Sequence, residues 1–371
     1  MEIVPRKITK MLEIQKFLHE YKNDWKKILE SSPYNLIIRE MDDLVLFMYN
    51  QIESDFNIPL VQECRGIILN SNDFSVVCMG FTKFWNHGEV RAAKIDWSTA
   101  KALEKIDGSI QKLFWYNNEW CVSTMSMISA KECTLQNNIN PEYQTFYDLF
   151  IEGAKKCTLN FNNLNKNYTY IFELVSPYNR VVVPYKEIKI YHIGTRDNIT
   201  LKELDIDIGV DKPKQYSFTS KEDLLTIVQN MPFTEEGYVI VDVNWNRVKI
   251  KSPAYVAVHK LHNNGEINKK RALELIVKND HKEFLSYYPE YTEYFNKIEY
   301  VWNEYVIKVQ LDVNNITSRE FTSRKEYALY ARTLTNPTLM FLLLDKKITK
   351  DTWKEWLYTQ PSEKMVEILK I

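Results

Sequence analysis

The chain has 371 residues, enough for two or three domains, and its 45% hydrophobic and 13% aromatic content supplies packed cores and excludes a disordered protein. Lysine and arginine total 48 against 49 acidic residues, so there is no global positive field and any nucleic-acid site must be a local patch. The five cysteines, Cys64, Cys78, Cys121, Cys133 and Cys157, are odd in number and lack CxxC spacing, which argues against a disulfide framework or zinc cluster and fits a reducing, cytoplasmic compartment. No apolar run approaches the roughly 18 residues needed to cross a bilayer, so no membrane partner is expected. The first residues, MEIVPRKITKMLEIQKF, have no secretory apolar core.

Met11, Ile14, Phe17, Leu18, Trp25, Ile28 and Leu29 recur at helical spacing and predict an amphipathic helical opening. From about Tyr34 to His259 the texture becomes short runs of Val, Ile, Tyr, Phe and Trp broken by Asn, Asp and Gly, the pattern of antiparallel strands. Two hairpins stand out. One runs Ile110–Tyr116, Asn117-Asn118, Glu119–Ser123; the other runs Tyr238–Val243, Asn244-Trp245-Asn246, Arg247–Lys251. The Asn-rich segment 160–167 reads as a solvated loop. Beyond Lys260 helical patterns return at Arg271–Lys278, Glu293–Val309, Arg324–Leu334 and Asp351–Leu357, with Ser323 and Glu326 at capping-box spacing. The predicted fold class is α+β, with an antiparallel-sheet domain over 1–259 and an all-helical domain over 260–371.

The segment Lys105-Ile106-Asp107-Gly108-Ser109 opens the first hairpin. A free lysine amine, with a pKa near 10.4, is deprotonated in only about one molecule in a few thousand at pH 7, so a nucleophilic Lys105 needs nearby cations or a metal to favour the amine. Gly108 would let the backbone approach a bound nucleotide where a Cβ would collide. Alone, this pentapeptide is equally a surface turn. Lys249 and Lys251, two apart on a predicted strand, project from one face and would clamp a phosphate, or else line a solvated edge. Glu173 and Glu236 interrupt apolar strand patterns, which is costly unless each carboxylate has a partner. Phe84 and Trp85 are candidate base-stacking rings, with a core role as the alternative. His259 and His262 have zinc-ligand spacing if helical, but no third ligand is near; His87 and His192 read as structural.

Taken in order, Glu63-Cys64-Arg65-Gly66, Lys83-Phe84-Trp85-Asn86, the Lys105 motif, Phe172-Glu173-Leu174-Val175, Tyr191-His192-Ile193-Gly194, Glu236-Gly237-Tyr238-Val239 and Val248-Lys249-Ile250-Lys251 resemble the covalent nucleotidyltransferase superfamily of polynucleotide ligases and capping enzymes. The Ser109 ending of the lysine motif, the CRG segment and the KFWN segment place the resemblance in the ATP-dependent RNA ligases of the phage T4 RNA ligase 1 family. It spans roughly residues 60–260. Ile106 departs from that pattern, which often has an acidic residue there.

The resemblance implies that residues 1–259 form an adenylyltransferase domain using ATP with Mg²⁺ or Mn²⁺. Lys105 would be the AMP-accepting nucleophile. Lys249 and Lys251 would bind the α-phosphate and help lower the Lys105 pKa. Arg65, Lys83, Phe84, Trp85, Asp107 and Gly108 would join the nucleotide site, and Glu173 and Glu236 would serve nucleotide and metal. The implied partner is RNA with 5′-phosphate and 3′-OH ends, including cleaved tRNA selected by the helical region, whose basic clusters are Lys269-Lys270-Arg271, Arg324-Lys325 and Lys346-Lys347. With no P-loop in the sequence, end healing by a separate kinase or phosphatase is expected, and no obligate protein partner is evident. A DNA ligase or mRNA guanylyltransferase shares the lysine motif but normally continues into a β-rich OB-fold where this chain reads helical. A non-catalytic RNA-binding relative would have no need of the nucleophile.

Overall fold

The computed structural model describes residues 11–135, 140–263, 266–278, 281–282, 285 and 291–371; the first ten residues, including most of the segment read above as lacking a secretory core, lie outside them. The chain divides into two compact units, Met1–Val256 and Ala257–Ile371. No helix among the described residues is long and apolar enough to cross a membrane.

The first unit contains β1 (Leu36–Met41), β2 (Leu44–Tyr49), β3 (Arg65–Asn70), β4 (Val76–Cys78), β5 (Trp85–Asn86), β6 (Lys101–Glu104) and β7 (Ser109–Tyr116). It continues with β8 (Glu119–Ser123), β9 (Tyr168–Val175), β10 (Lys189–Asp197), β11 (Glu203–Leu204), β12 (Gln215–Tyr216), β13 (Gly237–Val241) and β14 (Arg247–Lys251). They form three sheets: β1-β2-β3-β4, β11-β10-β9-β7-β8 and β12-β6-β13-β14-β5. Every pairing is antiparallel except β14 with β5, where Val248 and Lys249 run parallel to Trp85 and Asn86.

Each sheet buries one face on helices, as period-two alternation requires. Leu36, Val45, Phe47, Ile67 and Leu69 pack on Ile14 and Leu18 of α1 (Glu13–Glu20) and Leu29 of α2 (Trp25–Leu29). The expected opening is thus two helices, broken at Tyr21–Asp24, where Asn23 and Asp24 favour a turn. A short α3 (Pro59–Glu63) leads into β3. Tyr170, Phe172, Leu174 and Ile190 pack on Leu149 and Phe150 of α4 (Phe146–Lys156), while Tyr238, Ile240, Val248 and Ile250 pack on Leu224 and Val228 of α5 (Lys221–Gln229). Neither α4 nor α5 was anticipated in the strand-rich region, although Thr145 and Ser220 cap them by accepting from the backbone N–H groups of Asp148 and Asp223.

The first predicted hairpin is β7–β8, with Asn117 and Asn118 at φ of 45° and 62°, as a two-residue turn matching strand twist demands. In the second, β13 ends at Val241 and Asp242–Asn246 form a wider turn. The Asn-rich segment contains a helical turn at Phe161–Asn163, and Leu164 is buried, so this loop is anchored rather than simply solvated.

The second unit is built from α7 (Lys269–Lys278) and helices Thr292–Ser318, Arg324–Ala331, Pro337–Leu344, Trp353–Tyr358 and Ser362–Leu369, beside an α6 (Pro253–Leu261) that enters it from the first. It is not wholly helical: His262–Asn263 pair with Glu266–Ile267. His262 is therefore in a strand, which removes the helical spacing with His259. Phe295, Ile298, Trp302, Tyr305, Val309, Val313 and Ile316 form the buried stripe of the longest helix, extending it nine residues past the predicted Val309. Ser323 caps as expected, accepting from the Glu326 N–H at 3.2 Å, while the Glu326 carboxylate reaches Thr322 instead of completing the box on Ser323.

Candidate active site

The Lys105 motif is where the chain crosses between two sheets. Lys105 follows β6 of the third sheet directly, and Ser109 begins β7 of the second. The Lys105 N–H donates to Gly237 O at 2.9 Å, tying the motif to β13. Gly237, at φ 127°, allows an approach to Ile250 O that a Cβ would obstruct. The Lys105 side chain is 20% exposed and its Nζ lies 2.7 Å from Glu236 Oε2; Glu236 Oε1 lies 2.7 Å from Lys251 Nζ. One buried carboxylate therefore bridges the two lysines.

Because Val248 and Ile250 point into the α5 core, Arg247, Lys249 and Lys251 share the opposite face of β14. Lys251 is paired with Glu236, and Arg247 with Glu203 at 2.8 Å. Lys249 has no carboxylate within ion-pairing distance among the described residues. Burial, with Lys251, Lys105, Arg65 and Lys83 nearby, lowers its pKa to about 8. The crowding of cations anticipated around Lys105 thus registers on its neighbour.

Glu173, on β9 opposite Ile110, shows the reverse effect. Burial pushes its carboxyl up to about 8, with Glu236 and Asp107 adding to the rise and Lys105 and Arg65 opposing it. It has no hydrogen-bond partner among the described residues.

Asp107 and Gly108 are held by contacts within the protein. Asp107 Oδ2 accepts from the Val182 and Val183 N–H groups at 2.9 and 2.7 Å, and Oδ1 accepts from the Tyr255 hydroxyl at 2.7 Å. Its carboxylate is engaged in holding the motif in place. A Cβ on Gly108 would collide with Leu174 O and crowd the Glu173 side chain, so the close approach of the motif to β9 itself demands glycine.

Parallel pairing of β5 with β14 brings the Lys83–Asn86 segment beside Lys249. Phe84 and Trp85 then point apart. The Phe84 ring lies 5.4 Å from the Arg65 guanidinium and 5.9 Å from Lys249 Nζ, whereas Trp85 faces Phe56, Lys83 and Arg91. Lys83 Nζ sits among the Tyr49, Phe56 and Trp85 rings at 4.5, 4.2 and 4.7 Å and donates to Gln51 Oε1 at 3.1 Å. Trp85 therefore packs against the lysine, and only Phe84 presents its ring to the Arg65–Lys249 cluster.

Tyr255 and Lys112 escaped the sequence reading, as did the contacts of Arg196, which closes the motif begun by Tyr191. Tyr255 holds Asp107 and lies beneath Lys251, 5.2 Å from ring centre to Nζ. Lys112 on β7 is buried, with its pKa lowered by desolvation, and donates to Gly66 O beside Arg65. Arg196 and Arg247 grip Glu203 from two sides and link the second and third sheets. A charged residue inside an apolar strand was the available signal for Lys112 and Arg196. His192 is buried and pairs with Thr195, and all five cysteines are free. No cluster of three or more His, Cys, Asp or Glu suited to a metal occurs among the described residues.

The stretch of sequence that forms this site matches a known protein family. A family model described as RNA ligase matches residues 63–255, just over half of the chain. The chain belongs to this RNA ligase family. The match runs from the CRG segment to Tyr255 and contains every residue assigned above to the site. A candidate bifunctional polynucleotide kinase/RNA ligase of Autographa californica nuclear polyhedrosis virus is 31% identical over 301 residues, which cover 76% of this chain and 41% of that protein. An RNA ligase of Rhodothermus phage RM378 is 30% identical over 189 residues, 43% of either chain. The chain thus spans about two fifths of the length of these relatives. Among solved structures, an archaeal ATP-dependent RNA ligase has 12% identity and a TM-score of 0.43, covering 87% of this chain and 89% of that one. A Naegleria gruberi RNA ligase has 14% identity and a TM-score of 0.34, with coverage of 44% and 52%.

Proposed function

We propose that the chain is an ATP-dependent RNA ligase that seals 5′-phosphate and 3′-OH ends. The observation that carries this reading is the bridging of Lys105 and Lys251 by Glu236 at the crossing of two sheets, with Lys249 beside them and without a carboxylate in ion-pairing distance among the described residues. Once Lys105 has given up a proton, its amine attacks the α-phosphorus of ATP; the N–P bond forms, the P–O bond to pyrophosphate breaks, and lysyl-AMP remains. AMP then passes to the RNA 5′-phosphate, and the RNA 3′-OH attacks that phosphate with release of AMP. Each step is displacement at phosphorus, where positioned cations supply much of the catalysis.

In this reading Lys249 receives the α-phosphate, and Lys251 joins it when the nucleotide draws it from Glu236. Arg65 and Phe84 flank the nucleotide, and Lys83 serves the outer phosphates after leaving its ring of aromatics. Asp107, Gly108 and Tyr255 fix the motif that carries the nucleophile. Trp85 keeps Lys83 in reach. A divalent ion, Mg²⁺ or Mn²⁺, would neutralise triphosphate charge when bound. Glu173 suits it as an oxygen ligand because its carboxyl makes no hydrogen bond among the described residues, and Mg²⁺ takes its remaining ligands from water and phosphate. Glu236 would be released to the ion only as the lysines turn to the nucleotide. Residues 1–259 would be the adenylyltransferase domain and 260–371 the part that selects RNA, cleaved tRNA included. A separate kinase or phosphatase would heal the ends; the Autographa californica virus relative is named for a polynucleotide kinase as well as an RNA ligase.

The test is transfer of label from α-labelled ATP to the protein with Mg²⁺. A covalent adenylate is expected on the wild type and none on Lys105→Ala. Labelling of that variant would remove Lys105 from its role. GTP as the better donor would favour a guanylyltransferase, and nicked duplex DNA as the better substrate a DNA ligase.

A further inference from the structure

A cavity of about 470 Å³ opens in the first unit, lined among others by Lys101 and Leu103 of β6, Ile193 of β10, Leu204 of β11, Trp245 of the β13–β14 turn and Arg247 of β14. Leu103 precedes Lys105 by two residues and Arg247 precedes Lys249 by two, so the cavity lies on the sheet face of the catalytic lysines, about 6–7 Å further toward the turn. None of Lys105, Lys249, Lys251 and Glu173 lines it. Arg247, fixed by Glu203, is the residue common to the cavity and the Phe84 cluster.

Trp245 is 38% exposed, and its φ of 64° is a conformation that bulky L-residues rarely adopt. The turn is built to keep it there: the Asp242 carboxylate accepts from the backbone N–H groups of Asn244, Asn246 and Asp96 and from Asn246 Nδ2. Such strain persists only where surrounding bonds impose it, and it collects at ligand sites. Lining the same cavity, Lys101 is exposed and has no carboxylate within ion-pairing distance among the described residues. An exposed aromatic ring with a free cation, continuous with a phosphate-binding face, is the combination that holds single-stranded nucleic acid by stacking and charge.

We propose that this cavity is a subsite for an unpaired nucleotide of the RNA substrate, its base stacked on Trp245 and its phosphate near Lys101. The proposal rests on the RNA ligase reading. Its test uses the full chain, a short fluorescent single-stranded RNA and two variants: Trp245→Asn, since asparagine tolerates the left-handed backbone, and Lys101→Gln, at an exposed position. RNA affinity measured by anisotropy should fall about tenfold in Trp245→Asn and less in Lys101→Gln, consistent with loss of one stacked base. Lys105 adenylation at saturating ATP should stay within about twofold. RNA carrying 4-thiouridine should cross-link to the turn peptide containing Trp245. Unchanged RNA affinity in both variants, or cross-links confined to other peptides, would overturn the subsite. A raised KM for ATP with unaltered RNA affinity would reassign the cavity to the nucleotide. A wild type that binds RNA but never adenylates would defeat the ligase reading alone, because the anisotropy comparison still reports on the cavity.

Discussion

Two groups of buried charge lie on the same face of β14 and are balanced in opposite ways. At Arg247 the account closes: Glu203 meets Arg247 and Arg196, all nearly buried, and joins the second sheet to the third. Two residues on, Lys249 stands among Lys105, Lys251, Arg65 and Lys83 with Glu236 as the carboxylate paired to two of them, and its ammonium is correspondingly disfavoured. The matched cluster fixes the sheets. The unmatched one has the character of an anion site, and under the ligase reading a phosphate would supply the missing counter-charge.

The largest expected effect comes from breaking the matched cluster. Glu203→Ala leaves two buried guanidinium groups without a counter-charge, and neither can shed its proton, so about 3–5 kcal/mol of stability should be lost. Urea unfolding measures this. A loss below about 1 kcal/mol would mean that water already screens the triad and that it is not what joins the sheets. Next comes Lys249→Met, which should cut the rate of adenylation by about 10²–10³-fold, as expected for one lost donor to a developing phosphate charge. Its unliganded thermal midpoint should stay the same or rise, because a repelled cation has gone. Pyrophosphate should stabilise the wild type and not the variant. Equal loss of stability and activity would make Lys249 a structural lysine and erase the contrast with Arg247.

How much of this was legible beforehand follows from how far apart the interacting residues lie in the chain. The hairpin at Asn117-Asn118 and the cap at Ser323 are local, and the sequence displays them. The shared face of Lys249 and Lys251 follows from strand period alone. The grouping of Lys105 with Glu236 came from motif order, since 131 residues separate them. Asp107 and Gly108 stand out in the sequence, but their protein contacts do not: the glycine makes room for Leu174 O, and the aspartate binds Val182, Val183 and Tyr255. No periodicity reports such contacts. The choice between Phe84 and Trp85 needed the parallel pairing of a two-residue strand, which is too short to leave any pattern. The α4 and α5 helices were missed although their caps were visible, because the surrounding strand texture dominated the reading.

The last expected effect is on stability against pH, and it separates the two abnormal groups of the unmatched cluster. Glu173 is held up to about 8, by burial first and then by Glu236 and Asp107, so between about pH 4.5 and 8 the folded chain keeps a proton that the unfolded chain has released. Stability from this group is present below that window and falls as pH rises through it. Lys249 is held down to about 8, so between 8 and 10.5 the unfolded chain binds the extra proton and stability rises with pH instead. Urea unfolding as a function of pH should therefore show a decline that flattens or reverses near pH 8. Glu173→Gln should remove the decline, and Lys249→Met should remove the recovery. If Glu173→Gln leaves the acid limb unchanged, its carboxyl is already ionised in the empty site. Lys105 or Arg65 would then be compensating it, and Glu173 would belong with the matched charges rather than with Lys249.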